Sequence, residues 1–321
     1  MNVLFIGDPH FKVKNVEYIP LFISKIITIV KDHDPSFVVV AGDLLDNHDV
    51  VNVEPLNLAL DFIDSLSKLK RVFVLVGNHD YQNNQQFLTD KHWMNALKKW
   101  PNVTIVDNIT RYANFLMVPY VPPGKFLDAL HDENLETVDA IFAHQEFYGC
   151  KMGAITSQIG DKWEIQWPLV ISGHIHNKQW SQSNIYYPGS AMQHAFGQST
   201  NNTITMLYFD PTFVFQEIDL GMPRLYIKYI SVKEAVKIAI QNTFLKKYKL
   251  VISGTLEEFK TFKKTQKYND LLKDDIVIAF KTHIKIDKVV LNNHKTFLDI
   301  LTQKVKHDKE LMNIYNEFLC L

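Results

Sequence analysis

Residues 37–46 read Phe37-Val38-Val39-Val40-Ala41-Gly42-Asp43-Leu44-Leu45-Asp46. An unbroken apolar run, rich in β-branched residues, stops abruptly at a glycine and a carboxylate, as a strand buried on both faces does where it runs out into a loop. Outward from this stretch the pattern recurs. Asn2 to Gly7 runs into Asp8-x-His10, Arg71 to Val76 into Gly77-Asn78-His79-Asp80, Val138 to Ala143 into His144, and Leu169 to Ser172 into Gly173-His174-x-His176. Between the first strands the apolar residues change period: Ile19, Phe22, Ile23, Ile26, Ile27 and Val30 share one helix face, with Asp34-Pro35 as the stop. Further helices are expected from about Pro55 to Leu69 and from Asn84 to Lys99. Beyond them short strands dominate, around Val103, Leu116, Ile185 to Tyr187, Thr203 to Phe209 and Phe213 to Ile218. The expected fold is α/β, a layered sandwich of mixed sheets flanked by helices.

The position of the polar clusters carries the chemistry. Strand C-termini in α/β folds converge on one edge of a sheet, so Asp8, His10, Asp43, Asn78, His144, His174 and His176 can meet although they are scattered along the chain. Oxygen and imidazole donors without thiolate suit divalent ions such as Mn, Fe or Zn. A pair of ions about 3.5–4 Å apart needs a bridging carboxylate and stabilises both oxygens of an in-line phosphoryl displacement. Asp43 is the candidate bridge. Glycines beside the clusters, at positions 42, 77 and 173, let the backbone turn sharply and approach the ions.

In this order, the motifs resemble those of the calcineurin-like metallophosphoesterase superfamily over residues 1 to about 220. The GNHD form, and Tyr187-Pro188-Gly189-Ser190 after Gly173-His174-Ile175-His176, are similar to the SbcD nucleases and their eukaryotic and phage relatives. The resemblance implies that Asp8, His10, Asp43 and His176 hold one metal and that Asp43, Asn78, His144 and His174 hold the other. It implies His79 as the catalytic histidine, stabilising the phosphate or protonating the leaving oxygen. Asp46 and Asp80 are expected to hold ligands in place from behind. His48 and Asp49 read as residues of a solvated loop, and His194 as a histidine that could meet a phosphate. The implied activity is a Mn-dependent DNA nuclease of recombination or repair, exonucleolytic with possible endonuclease action. A small-molecule phosphodiesterase and a non-catalytic scaffold are the alternatives.

The chain has 321 residues, enough for about two domains. Its composition, 46% hydrophobic and 21% charged, is that of a globular protein. Two cysteines, Cys150 and Cys320, cannot make a disulfide framework, so the cytoplasm is expected, that of a host if the chain is viral. No run of the sequence is long and apolar enough to span a membrane, and no secretory leader is expected from Met1-Asn2-Val3-Leu4-Phe5-Ile6. The net charge of −1 hides an asymmetry: residues 222–321 carry +8 and residues 1–221 carry −9.

The domains expected are 1–221 for the catalytic unit, 222–290 for a smaller α+β capping unit and 291–321 for a helical tail. In the capping unit Lys249 to Ser253, a helix over Leu256 to Leu272, and Ile276 to Phe280 form a β-α-β pattern. Lys260, Lys263, Lys264 and Lys267 are candidates for DNA phosphate contacts. The amphipathic pattern from Phe297 to Phe318 is a candidate docking helix. The resemblance further implies an SbcC-like coiled-coil ATPase as partner and a nuclease homodimer. No Walker A motif occurs, so ATP hydrolysis by the chain itself is not expected.

Overall fold

The computed structural model describes residues 1–210, 212–282 and 305, 311 and 312. In chain order these residues form β1 (Asn2–Ile6), α1 (Ile19–His33), β2 (Phe37–Val40), α2 (Val53–Ser67), β3 (Val72–Leu75), β4 (Val103–Val106), β5 (Thr110–Tyr112), β6 (Phe115–Met117), α3 (Phe126–Ala129) and β7 (Ala140–Ala143). A small hairpin, β8 (Lys151–Met152) and β9 (Ile155–Thr156), precedes β10 (Leu169–Ser172), β11 (Gln179–Gln182), β12 (Ile185–Tyr187), β13 (Ile204–Tyr208) and β14 (Val214–Ile218). The C-terminal unit contains β15 (Arg224–Ser231), α4 (Val232–Ala235), β16 (Lys246–Gly254), α5 (Leu256–Phe262), α6 (Gln266–Lys273) and β17 (Val277–Thr282). The tail 291–321, with its expected helix from Phe297 to Phe318, lies outside the described residues except at 305, 311 and 312.

Two six-stranded sheets, in the orders β14-β13-β1-β2-β3-β4 and β11-β12-β10-β7-β6-β5, pack face to face. Val3, Phe5, Phe37, Val39, Phe73 and Leu75 from the first meet Phe115, Met117, Phe142 and Ile171 from the second. On the first sheet's outer face lie Phe22, Ile26 and Val30 of α1 with Phe62, Ile63 and Leu66 of α2. Phe126, Phe147 and Trp163 cover the second. Because the inner strands are covered on both sides, they read as continuous apolar runs, and β2 and β3 are buried at every position. Each fully buried Phe or Val contributes roughly 1.5–3 kcal/mol of transfer free energy. The result is the layered α/β sandwich expected.

The inner strands are parallel. β1 pairs with β2, β2 with β3 and β3 with β4, and in the other sheet β7 pairs with both β6 and β10. Phe5 lies opposite Val39 and Ile6 opposite Val40, so the residues following these strands leave the sheet side by side. Beyond the ladder His10 N–H donates to the Asp43 carbonyl at 2.9 Å and Phe11 N–H to the Leu44 carbonyl at 2.8 Å, which fastens the two loops together.

Three expectations are corrected. The helix over Asn84 to Lys99 is absent: only Trp93–Lys99 coils, as a 3-10 segment. Asn83 and His92 explain this, because their side chains accept from Gln85 N–H and Met94 N–H and offer the backbone local turns instead of a helix. The helix over Leu256 to Leu272 is broken in two, since the Thr265 hydroxyl accepts from Tyr268 N–H and starts α6 afresh. The capping β-α-β pattern also lacked a strand: β15 pairs parallel with β16 over its whole length, making a three-stranded parallel sheet β15-β16-β17. Leu250, Ile252, Phe259, Phe262 and Leu271 form this unit's own core.

Candidate metal centre

All five clusters meet at one edge of the sandwich. Asp8 follows β1, Asp43 follows β2, Asn78 follows β3, His144 follows β7 and His174 follows β10. Such convergence requires backbone shapes that ordinary residues avoid. Asp8, His10, Asp43 and His174 have φ of 38°, 44°, 48° and 74°, in the left-handed region. Gly77 shows why glycine stands beside them: a Cβ there would lie 2.2 Å from Asp43 Oδ1. At Gly42, with φ of +94°, it would lie 2.6 Å from His144 Nδ1.

Asp43 is central. Its Oδ2 lies 3.5 Å from His10 Nε2 on one side and 3.4 Å from His144 Nε2 on the other, while its Oδ1 accepts from His79 N–H at 2.8 Å. Asn78 Oδ1 faces His144 Nε2 at 3.1 Å and His174 Nδ1 at 2.9 Å. His10 Nε2 and His176 Nε2 face each other at 3.0 Å. Asp8 Oδ1 accepts from His174 N–H at 3.0 Å, but its Oδ2 is buried with no hydrogen-bond partner.

Two buried carboxylates create a strong negative field. Burial alone would lower the His144 pKa, yet Asp43 and Asp8 outweigh it and raise the value to about 9. Burial would raise Asp43, but His144 and His10 hold it well below the usual carboxylate range. Burial pushes His174 and His176 down to about 3, helped by His144 in the first case and by His10 in the second. The edge is thus arranged to hold positive charge, with neutral imidazoles ready to donate lone pairs. Asp43, His144 and His174 bring one ligand atom each within 4.8 Å of one another, a candidate metal site. The orphaned Asp8 Oδ2, the nitrogen and oxygen donors and the absence of thiolate fit divalent cations.

The surrounding residues brace the cluster, Asp46 from the position expected of it. Asp46 Oδ1 lies 3.2 Å from His10 Nδ1 and 2.9 Å from Lys12 Nζ. Asp80 touches no ligand side chain. Its carboxylate accepts from the backbone N–H of Gly77, Leu44 and Leu45 and from the Trp93 indole, so it ties together the loops that carry Asp43 and Asn78. Burial, reinforced by Asp43, raises its pKa to about 6. Gln198 Nε2 donates to His176 Nδ1 at 3.1 Å, while its Oε1 accepts from His194 N–H and Ala195 N–H. No local spacing pointed to Lys12 or Gln198. His194 packs against the rings of His10 and His176, donates from Nε2 to the Asp8 carbonyl at 2.9 Å and lines the cavity described below. The Tyr187-Pro188-Gly189-Ser190 segment also supports the site: the Gly189 carbonyl sits where a Cβ on Gly7 would fall. Trp163 is core, and Trp180 stacks on Tyr186.

An open groove of about 410 Å³ runs along the cluster, lined by Asp43, Asn78, His79, His174 and His176 and flanked by Lys151 and Met152 of the hairpin. Beside it, a cavity of about 510 Å³ separates Lys12, Tyr18 and His194 from Leu225, Lys247 and Tyr248 of the C-terminal unit. Lys260, Lys263, Lys264 and Lys267 line neither space. Lys260, Lys263 and Lys264 are exposed and Lys267 is half-buried, on or beside α5 and α6.

The comparisons with known proteins agree with this geometry. Residues 1–178 match the family described as Calcineurin-like phosphoesterase. Protein 078R of Invertebrate iridescent virus 3, named for an inferred phosphoesterase activity, is 55% identical over 99% of this chain and 96% of its own length. Protein 244L of Invertebrate iridescent virus 6, named likewise, is 45% identical over 83% of this chain and 98% of its own. Among solved structures, the phosphoesterase Yfce from E. coli aligns over 68% of this chain and 93% of its own, at 14% identity and a TM-score of 0.34, too low to carry an argument. No helix among the described residues is long and apolar enough to cross a membrane. The chain belongs to the calcineurin-like phosphoesterase family, whose members use divalent metals.

Proposed function

We propose that the chain is a Mn-dependent DNA nuclease that hydrolyses phosphodiester bonds, exonucleolytic with some endonuclease action, in recombination or double-strand break repair. The observation that carries the reading is the gathering of seven nitrogen and oxygen donor residues, Asp43 at their centre, at an open groove. In this reading Asp8, His10, Asp43 and His176 hold one cation, and Asp43, Asn78, His144 and His174 hold the second. The cations, when bound, supply Lewis acidity at the phosphate and a water nucleophile active at neutral pH. The chain's own residues do the rest. Asp43 holds the two halves of the site in register, and Asp80 fixes the loops that present Asp43 and Asn78.

His79 Nδ1–H donates to the Asp46 carbonyl at 2.6 Å, which leaves Nε2 as the nitrogen free for the substrate; with both ring nitrogens protonated, it is Nε2–H that gives its proton to the leaving oxygen as the P–O bond breaks. Lys260, Lys263, Lys264, Lys267 and Lys247 add sequence-independent attraction for a polyphosphate strand, in line with the +8 charge of residues 222–321. A second reading, a small-molecule phosphodiesterase, is favoured by the mostly apolar walls of the 510 Å³ cavity, a size that suits a nucleotide. An SbcC-like ATPase partner, a homodimer and a host-cytoplasm location belong to the nuclease reading. The viral relatives support that location.

Digestion of end-labelled double-stranded DNA with Mn2+, run beside bis-p-nitrophenyl phosphate and cyclic AMP, separates the two readings. Shortened DNA supports the nuclease. Full turnover of the small esters with intact DNA overturns it in favour of the second reading.

A further inference from the structure

His79 makes two ring contacts. Its ring meets His10 edge to face, with centroids 5.0 Å apart and planes at 82°. It also lies almost parallel to His48, with centroids 4.7 Å apart and planes at 10°. Each of the two stacked imidazoles is anchored through Nδ1 to a backbone carbonyl of the other's loop: His79 to Asp46 at 2.6 Å, His48 to Tyr81 at 3.3 Å. These reciprocal bonds clamp the loop after β2 to the loop after β3. His79 lines the groove beside the ligands, whereas His48 does not and stands behind it, half-buried.

A single hydrogen bond through Nδ1 leaves an imidazole free to swing about that bond. A flat ring stacked against it removes this freedom, and with it the spread of directions in which Nε2 points. Resting on the proposed role of His79, we infer that His48 is a positioning residue. Its stacked ring and its bond to the Tyr81 carbonyl hold the His79 plane, so that Nε2 meets the leaving oxygen. His48 touches neither substrate nor metal. Its contribution therefore falls on the chemical step and not on binding. A misplacement of about 1 Å at a catalytic group costs on the order of 100-fold in rate.

The test uses the full chain with Mn2+ and bis-p-nitrophenyl phosphate, comparing His48→Ala, His48→Phe, His79→Asn and the double variant His48→Ala/His79→Asn. His48→Ala is expected to lower kcat about 10- to 100-fold, with KM and bound metal unchanged. His48→Phe keeps a flat ring and is expected to recover most of the loss. The double variant is expected to be no slower than His79→Asn, because a positioning residue has nothing left to position. An unchanged kcat in His48→Ala overturns the inference, as does a loss that Phe fails to recover or one that adds fully to His79→Asn. Should His48→Ala fold poorly, His48→Phe decides alone: a large kcat loss in a folded, metal-loaded protein overturns the stack. Failure of the underlying reading looks different, since His79→Asn would then keep wild-type turnover with His48 untouched.

Discussion

At the scale of single residues, the site is a set of exceptions held in place by their surroundings. Four of its residues occupy left-handed backbone, each at a cost of roughly 1–3 kcal/mol. Gly77 permits the closest approach. Gly77→Ala places a Cβ 2.2 Å from Asp43 Oδ1 and 2.3 Å from Asp43 N, so either the loop moves or the carboxylate does. The expected result is a loss of about 1–3 kcal/mol in urea unfolding together with reduced bound Mn2+ by elemental analysis. Wild-type values of both would show that the loop yields freely. His79→Asn keeps a polar side chain but no transferable proton. Turnover of bis-p-nitrophenyl phosphate should drop about 10²- to 10⁴-fold at unchanged metal content, and an unaltered rate would remove His79 from the mechanism.

At the scale of elements, the 3-10 segment Trp93–Lys99 shows how a loop is tuned to pH. His92 accepts from Met94 N–H through Nδ1 and meets Asp107 through Nε2 at 3.1 Å, an arrangement that needs the neutral ring. Burial keeps its pKa below the ordinary 6.5, against the pull of Asp107. Burial would raise Asp107, but Lys98 and His92 hold it below 3.8. For His92, the unfolded chain takes up the proton first as pH falls below 6.5, so stability declines from there downward. For Asp107, stability is present above 3.8 and is lost as pH falls through its lower folded value. Both act in the same direction. Urea midpoints should therefore fall between about pH 7.5 and 5.5, and His92→Asn should flatten that fall; an identical slope in the variant would refute the assignment.

At the scale of the whole molecule, metal occupancy and folding should be linked. The sandwich buries the Asp8 and Asp43 carboxylates within one cluster, so a bound cation favours the folded state. Saturating Mn2+ at about 100 times its Kd should add about 2.7 kcal/mol and raise the melting temperature, and EDTA should reverse it. No shift would mean that the cluster binds no metal. The charge asymmetry makes a second prediction. If the four lysines on and beside α5 and α6 contact DNA phosphates, replacing all four by alanine should lower the slope of log affinity against log salt by up to about 3.6, at 0.9 per contact. An unchanged slope in filter binding would leave Lys247 and the cleft as the cationic surface.

The candidate donors were legible because burial on two faces writes parallel strands as apolar runs, and because such strands end at one edge, where Asp8, Asp43, Asn78, His144 and His174 stand. Periodicity also located α1 and α2. It failed where side chains bond to nearby backbone, at Asn83, His92 and Thr265, since those competing turns leave the apolar spacing intact. Of the residues around these donors, Asp46 and Asp80 stood out by their place in the motifs, but the contacts they and others make were not legible. Asp80 bonding to Leu44, Gln198 reaching His176 and His48 stacking on His79 join positions 22 to 36 residues apart, through contacts that no local spacing encodes. By itself the sequence determined the donor types and their strand-end placement, because these follow from local pattern. Only the tertiary structure decided which side chains hold them, because that depends on how the loops pack.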